Sequence, residues 1–256
     1  EKCKEINKKT ALEFKNKDKP GQDVYHAIKS TEDRLIGEMV AEMGAALVTS
    51  GKFDWLLDTI KELSDEIKDM YYPLHYYEGE AHRYRAYYEK ERIAYTTCLK
   101  LAENNHDAYF LSRANAGIAH IYLDTIQPGK AKPFLQEAIS FAQKSKKVSF
   151  HEMEMHKRQF AENLANLGKA ADAASWVETE KMDTSILREG NLDARILLRT
   201  GKLTAAQHTL NERKADNFTL PDAHRETDVL LSLIYSMTGQ ARLAMVSATK
   251  GIELGK

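Results

Sequence analysis

The sequence predicts an all-α fold, a right-handed superhelical array of about six helix-turn-helix hairpins (an α-solenoid). A small residue, an apolar or aromatic residue three places on and a turn residue seven places on recur six times along the chain. The clearest copies are Gly44, Leu47 and Gly51; Ala161, Leu164 and Gly168; Ala194, Leu197 and Gly201; and Ser232, Tyr235 and Gly239. Looser copies are Gly79, His82 and Ala86, and Gly117, His120 and Asp124. The small positions are 35, 38, 44, 33 and 38 residues apart, and periods in that range mark stacked helical hairpins. Five prolines in 256 residues leave room for long helices. No period-2 run with hairpin turns is present, so negligible sheet is expected.

In chain order, residues 3–17 are helix-prone and basic and stop before Lys19-Pro20-Gly21, a break signal. A short helix follows from Asp23 to Lys29. Thr31 reads as an N-cap, with Glu32 and Asp33 in the first turn. Helices are then predicted over 32–49 and 53–68, 74–87 and 90–104, 107–125 and 129–144, 149–166 and 169–180, 184–200 and 203–213, and 222–238 and 241–254. Residues 1–30 thus form short helices leading into an array over 31–256.

Each hairpin has a physical logic. The small residue lets the second helix come close, and the residue three later fills the seam, because positions i and i+3 share a face. The glycine ends the first helix in the left-handed conformation, which a side chain disfavours. Second helices repeat small and apolar positions, as in Ala131, Leu135 and Ala138, in Ala206 and Leu210, and in Ala244, Ala248 and Gly251. Such hairpins must stack to bury both faces.

Composition excludes several classes. Lys plus Arg is 37 and Asp plus Glu is 38, so this segment lacks the basic stripe that grips nucleic acid. No apolar run reaches the length of a membrane span and no leader peptide opens the chain. Cys3 and Cys98 form neither a disulfide scaffold nor a metal pattern, which implies a reducing cytoplasm. The termini read as those of a segment cut from a longer protein.

No catalytic constellation emerges. His151 and His156 are five apart, whereas helical zinc sites need four to share a face. Ser50-Gly51-Lys52, Leu167-Gly168-Lys169 and Thr200-Gly201-Lys202 are helix stops without the spacing of a phosphate loop. No local motif marks a serine or cysteine nucleophile. The expectation is a protein that is not an enzyme, with no metal and no cofactor in this segment.

Repeat geometry selects a candidate concave groove. Residues at −3, +1, +4 and +5 from each small position face inward, giving Tyr76, Glu80, Arg83 and Tyr84 from Gly79. Tyr71, Tyr72, Tyr77, Tyr87 and Tyr88 lie nearby, of which Tyr72, Tyr87 and Tyr88 are assigned to packing between hairpins. The third repeat contributes Ile118, Ile121 and Tyr122, and the fourth Arg158, Glu162 and Asn166. The fifth contributes Asn191, Arg195 and Arg199, with Arg188 one turn earlier. The groove is tyrosine-rich early and arginine-rich late. The planar fork of arginine suits carboxylate or phosphate, so an anionic ligand or acidic peptide is one reading. Pairing of Arg158, Arg188 and Arg195 with nearby glutamates is the other.

The small/large/Gly pattern resembles the tetratricopeptide (TPR) repeat over about residues 31–256. Three longer stretches are similar to the helical-repeat region of MalT-type transcription activators, which carry a P-loop NTPase module and a LuxR-type helix-turn-helix. They are Tyr122 to Ala131, Leu192 to Leu203, and His224 to Gly239. Tyr25-His26-Ala27-Ile28 resembles the short helices that join the NTPase module to the repeats in that family. The resemblance implies a cytoplasmic sensor and scaffold module that binds a small inducer or regulatory protein and controls self-association, so a homo-oligomer is possible. ATP and DNA would engage only modules absent from this segment. The alternatives are a peptide-binding TPR regulator, like the cytoplasmic quorum-sensing receptors of Gram-positive bacteria, and a plain protein-protein interaction scaffold.

Overall fold

In the computed structural model, which describes residues 2–16, 22–215 and 221–254, every regular element is a helix. The predicted break at Lys19-Pro20-Gly21 lies outside those residues. The chain groups into two units, Glu1–Val148 and Ser149–Lys256. The first holds α1 (Lys2–Asn16), α2 (Gln22–Ser30), α3 (Asp33–Thr49), α4 (Phe53–Glu62), α5 (Asp65–Met70), α6 (Pro73–Arg83), α7 (Tyr88–Asn104), α8 (Ala108–Asp124) and α9 (Pro128–Lys144). The second holds α10 (Phe150–Asn166), α11 (Ala170–Thr179), α12 (Thr184–Arg188), a 3-10 turn at Glu189–Asn191, α13 (Leu192–Arg199), α14 (Leu203–Ala215), α15 (Pro221–Met237) and α16 (Ala241–Glu253). The repeated hairpins are α3/α4, α6/α7, α8/α9, α10/α11, α13/α14 and α15/α16, the architecture of an α-solenoid. No helix among the described residues is long and apolar enough to cross a membrane.

One hydrogen bond closes all six hairpins. The first helix ends at a left-handed residue: Gly51, Ala86, Ile126, Gly168, Gly201 or Gly239, with φ of 71°, 53°, 56°, 75°, 78° and 75°. The amide of the next residue then reaches back five places. Lys52 N–H donates to Leu47 O, Tyr87 to His82, Gln127 to Tyr122, Lys169 to Leu164, Lys202 to Leu197 and Gln240 to Tyr235, at 2.7–3.1 Å. This bond satisfies a carbonyl that the helix end would otherwise orphan.

That bond corrects the third repeat. The pattern Gly117, His120 and Asp124 is two residues out of register; the structural equivalents are Ala119, Tyr122 and Ile126. Ile126, 87% exposed, takes the left-handed conformation that glycine takes in four of the other five hairpins. The sequence therefore shows no turn residue where the chain turns.

Counting from the left-handed residue reveals a second register. Five places on stand Leu56, Glu91, Ala131, Ala173, Ala206 and Ala244; nine places on stand Ile60, Tyr95, Leu135, Val177, Leu210 and Ala248. Leu56, Ala131, Ala173, Ala206, Leu135 and Leu210 are fully buried. These are the small and large teeth of each seam, and burying a leucine of this kind contributes roughly 2–3 kcal/mol. In the first unit Ala11, Val24 and Ala27 of α1 and α2 join the core of Leu35, Met39, Leu47, Leu56, Ile60, Leu74 and Tyr77. In the second, Ala194, Ala206 and Leu210 pack on Leu231, Ile234 and Tyr235.

Other elements also depart from the prediction. Thr31 is not the N-cap of α3; it is left-handed at φ 58°, and the cap is Glu32, without a side-chain bond. The helix predicted over 53–68 breaks at Leu63, because Ser64 caps a new helix by accepting from Ile67 N–H. The predicted helix 74–87 ends at Arg83, leaving Tyr84 in the turn. The predicted helix 184–200 breaks where Gly190 and Asn191 are both left-handed, at φ 57° and 52°.

Candidate functional site

In the first unit, two successive first helices and α8 enclose a concavity of about 320 Å³. Its lining is Ala45, Val48 and Thr49 of α3, Tyr76, Tyr77 and Glu80 of α6, Tyr84 and Arg113. The spacing that selected Tyr76, Glu80 and Tyr84 from Gly79 also selects Ala45, Val48 and Thr49 from Gly44. The opposite wall thus follows from the same spacing in the first hairpin. Arg113 stands six residues before Ala119, at none of the inward-facing offsets, so the repeat spacing carries no signal for it.

Aromatic packing fixes this site. Tyr76 lies 5.4 Å from Tyr77, 5.7 Å from Tyr95 and 5.7 Å from Phe110 between ring centroids. The guanidinium of Arg113 lies 4.4 Å from the Tyr109 ring centroid and 5.6 Å from that of Tyr76, an attraction to the negative ring face. Tyr84, 62% exposed, stacks on Phe53 with centroids 4.5 Å apart. The Tyr95 hydroxyl donates to Glu80 Oε1, while Glu80 Oε2 lies 3.6 Å from Arg83. Burial pushes the Tyr77 phenol up to about 12 and the Tyr95 phenol well above its ordinary value, so both stay protonated.

Tyr122 does not join this concavity. It is a seam residue equivalent to Leu47 and His82, and it stacks on Phe134 of its own hairpin at 5.7 Å. Ile118 and Ile121 are buried against Tyr95. Tyr72 is half-buried and donates to Asp107 Oδ2 at 2.7 Å. Tyr87, assigned to packing, is 49% exposed.

In the second unit, α10 and α13 bring five predicted residues together. Arg158 Nη1 donates to Glu162 Oε2 at 3.1 Å, and Arg195 Nη1 donates to Glu162 Oε1 at 2.6 Å. Arg158 Nη2 also donates to the carbonyl of Glu189 at 2.7 Å. Arg195 and Arg199 reach Asn166 Oδ1 at 3.5 and 3.3 Å. Three guanidiniums therefore share one carboxylate and one amide oxygen. Pairing with glutamate is real for Arg158 and Arg195, and the ladder still carries two positive charges more than it neutralises.

Asn191 and Arg188 fall elsewhere. Asn191 is 2% exposed, because α13 starts only after it. Its Oδ1 accepts from Arg213 and from Thr227, at 3.4 Å for the latter, and its Nδ2 donates to Glu226 Oε2 at 3.2 Å. It is a core tie and not a groove residue. Arg188 is exposed and lines a separate concavity with Thr184, Asp193, Thr209, Glu212 and Arg213. His151 is exposed and His156 buried.

Comparison with known proteins gives a fold and no family. No family model matches the chain, and no curated protein matches it. Among solved structures it is similar to the apo form of RapI, with 12% identity over 98% of this chain and 97% of that one and a TM-score of 0.57. It is also similar to aspartyl phosphate phosphatase F from Bacillus subtilis, with 10% identity over 99% of this chain and 70% of that one and a TM-score of 0.49. At these identities the likeness to RapI extends to the fold alone: the chain is a TPR-like helical-repeat protein.

Proposed function

We propose that the chain is a binding module rather than an enzyme, a TPR-like regulator that takes an extended acidic segment of a partner protein or a peptide. The carrying observation is the ladder of Arg158, Arg195 and Arg199 around the single carboxylate of Glu162. Excess guanidinium on adjacent helices suits carboxylates spaced along an extended backbone. Asn166 complements it: its Oδ1 is engaged by Arg195 and Arg199, which leaves its amide donors for a ligand carbonyl. The fold shared with RapI over nearly the full length of both chains supports a reading in which the repeats themselves are the working part.

Thermal unfolding with short Asp/Glu-rich peptides, alongside their Asn/Gln counterparts, tests this. Binding to the folded state raises the midpoint. A shift with the acidic set, absent in Arg195→Ala, is expected; equal shifts with both sets overturn the acidic reading.

The sensor module of a MalT-type activator stands second. It rests on the stretches Tyr122–Ala131, Leu192–Leu203 and His224–Gly239. The first two span a helix end, its turn and the next helix start, and the third runs along α15 to its turn, so repeat geometry accounts for much of their pattern. A Walker motif encoded upstream and a helix-turn-helix downstream would restore that reading.

A further inference from the structure

Glu91 breaks the register of the array. Five residues after the left-handed turn, the other hairpins carry Leu56, Ala131, Ala173, Ala206 and Ala244. Here α7 places a carboxyl, with no exposed surface and no hydrogen-bond partner on either oxygen. An unpaired buried carboxylate is costly, and the group responds by holding its proton.

The surroundings push the same way. From α6, Arg83 favours the charged form and Glu80 opposes it; from α8, Asp124 opposes it; on α7 itself, the Tyr95 phenol lies close. Burial dominates and lifts the Glu91 carboxyl from 4.5 to about 7. The seam it occupies is tight. The Tyr95 ring, one turn along α7, is held between Gly79 and Gly117, and its hydroxyl donates to Glu80, which lines the Tyr76 concavity.

We propose that Glu91 is a proton-operated switch in the α6/α7/α8 seam: neutral, it seats α7 between its neighbours; ionised, it loosens that seam and the Tyr95–Glu80 contact at the concavity. The proton passes to solvent and no other bond changes. The claim stands on burial and register in the first unit and invokes no ligand.

The sign follows from linkage. The folded chain holds this proton more tightly than the unfolded chain. The stabilisation is complete below about 4.5 and is lost as pH rises through about 7. The folding equilibrium should therefore fall by roughly 50-fold between pH 5 and 7.5 on this account alone.

The test compares chemical unfolding of the wild type, Glu91→Gln and Glu91→Ala across that range, alanine being what most other hairpins carry. The expected result is a fall in the wild type that both variants lack. Amides of α7, corrected for intrinsic rates, should exchange faster at pH 7.5 than at pH 5 in the wild type only. A wild-type pH profile superimposable on that of Glu91→Gln would overturn the switch. So would a 13C-detected titration of Glu91 in the wild type near 4.5, a measurement that needs no folded variant. None of these readouts involves a partner, so failure here leaves the binding reading intact, and failure to bind peptides leaves the switch intact.

Discussion

The ring of Tyr95 rests on the bare Cα of Gly117, where a Cβ would stand 2.5 Å from Tyr95 Cε2. The other edge of the ring meets Gly79 in the same way, at 2.5 Å from Cε1. A single side chain on α7 thus joins its own hairpin to the next, and the glycines exist to admit it. Gly44 does the same for the Tyr77 ring. Gly117→Ala should cost about 3 kcal/mol by overpacking a fully buried ring. Gly201→Ala has open space around it and a φ of 78°, so only the left-handed backbone resists, at about 1 kcal/mol. Urea unfolding of the two variants should separate packing glycines from turn glycines, and equal losses would contradict that division.

Asp107 ties two hairpins with one carboxylate. It caps α8 by accepting from Tyr109 N–H at 2.9 Å and Phe110 N–H at 3.3 Å, and it accepts from the Tyr72 hydroxyl at 2.7 Å. Asp107→Ala should cost about 2 kcal/mol through loss of the cap and the tie together. Tyr72→Phe should cost about 1 kcal/mol. A double-mutant cycle should return a coupling of about 1 kcal/mol; additivity would show that the tie is idle.

Asn191 combines a left-handed backbone with a buried network. Its loss removes the Nη1 acceptor of the buried Arg213 guanidinium, which keeps only its pair with Asp193. Asn191→Ala should cost about 3 kcal/mol through the hydrogen bonds it leaves unmade. Asn191→Gly relieves the backbone but not the network, so it should recover only about 1 kcal/mol of that. Full recovery in the glycine variant would mean that the network contributes nothing.

Glu162 occupies the position that a ligand carboxylate would take between Arg158 and Arg195. Glu162→Gln removes the internal competitor, and affinity for acidic peptides should rise about tenfold, as calorimetry would read it. Arg195→Ala should lower it by a similar factor with little change in the unfolding midpoint. A fall in affinity for Glu162→Gln would assign the carboxylate to orienting the arginines instead.

Much of this was legible from short spacings. Gly51, Gly168, Gly201 and Gly239 marked their turns correctly because the left-handed backbone and the five-residue hydrogen bond are settled within one helix end. The same locality explains the misses. Ile126 turns the chain without a turn residue, which displaced Tyr122 from the seam into the predicted groove. Ser64, followed by Asp65 and Glu66, carried a capping signal that the apolar pattern of α4 overshadowed. At Gly190 and Asn191 two left-handed residues shortened a helix, and the offset that made Asn191 a groove residue no longer applied.

The sequence by itself determined the repeat, its glycine turns and much of the alternation of small and large teeth, because these depend on backbone preferences and side-chain size within about ten residues. It also determined that the inward-facing offsets carry arginines on both helices, at −3 on α10 and at +1 and +5 on α13. Only the tertiary structure decided what each offset faces. Arg195 meets Glu162 across 33 residues, Tyr95 finds glycines on two hairpins, and Glu91 loses all contact with water. Burial and partnership are properties of the stack: they arise when neighbouring hairpins exclude solvent, and no single repeat contains them.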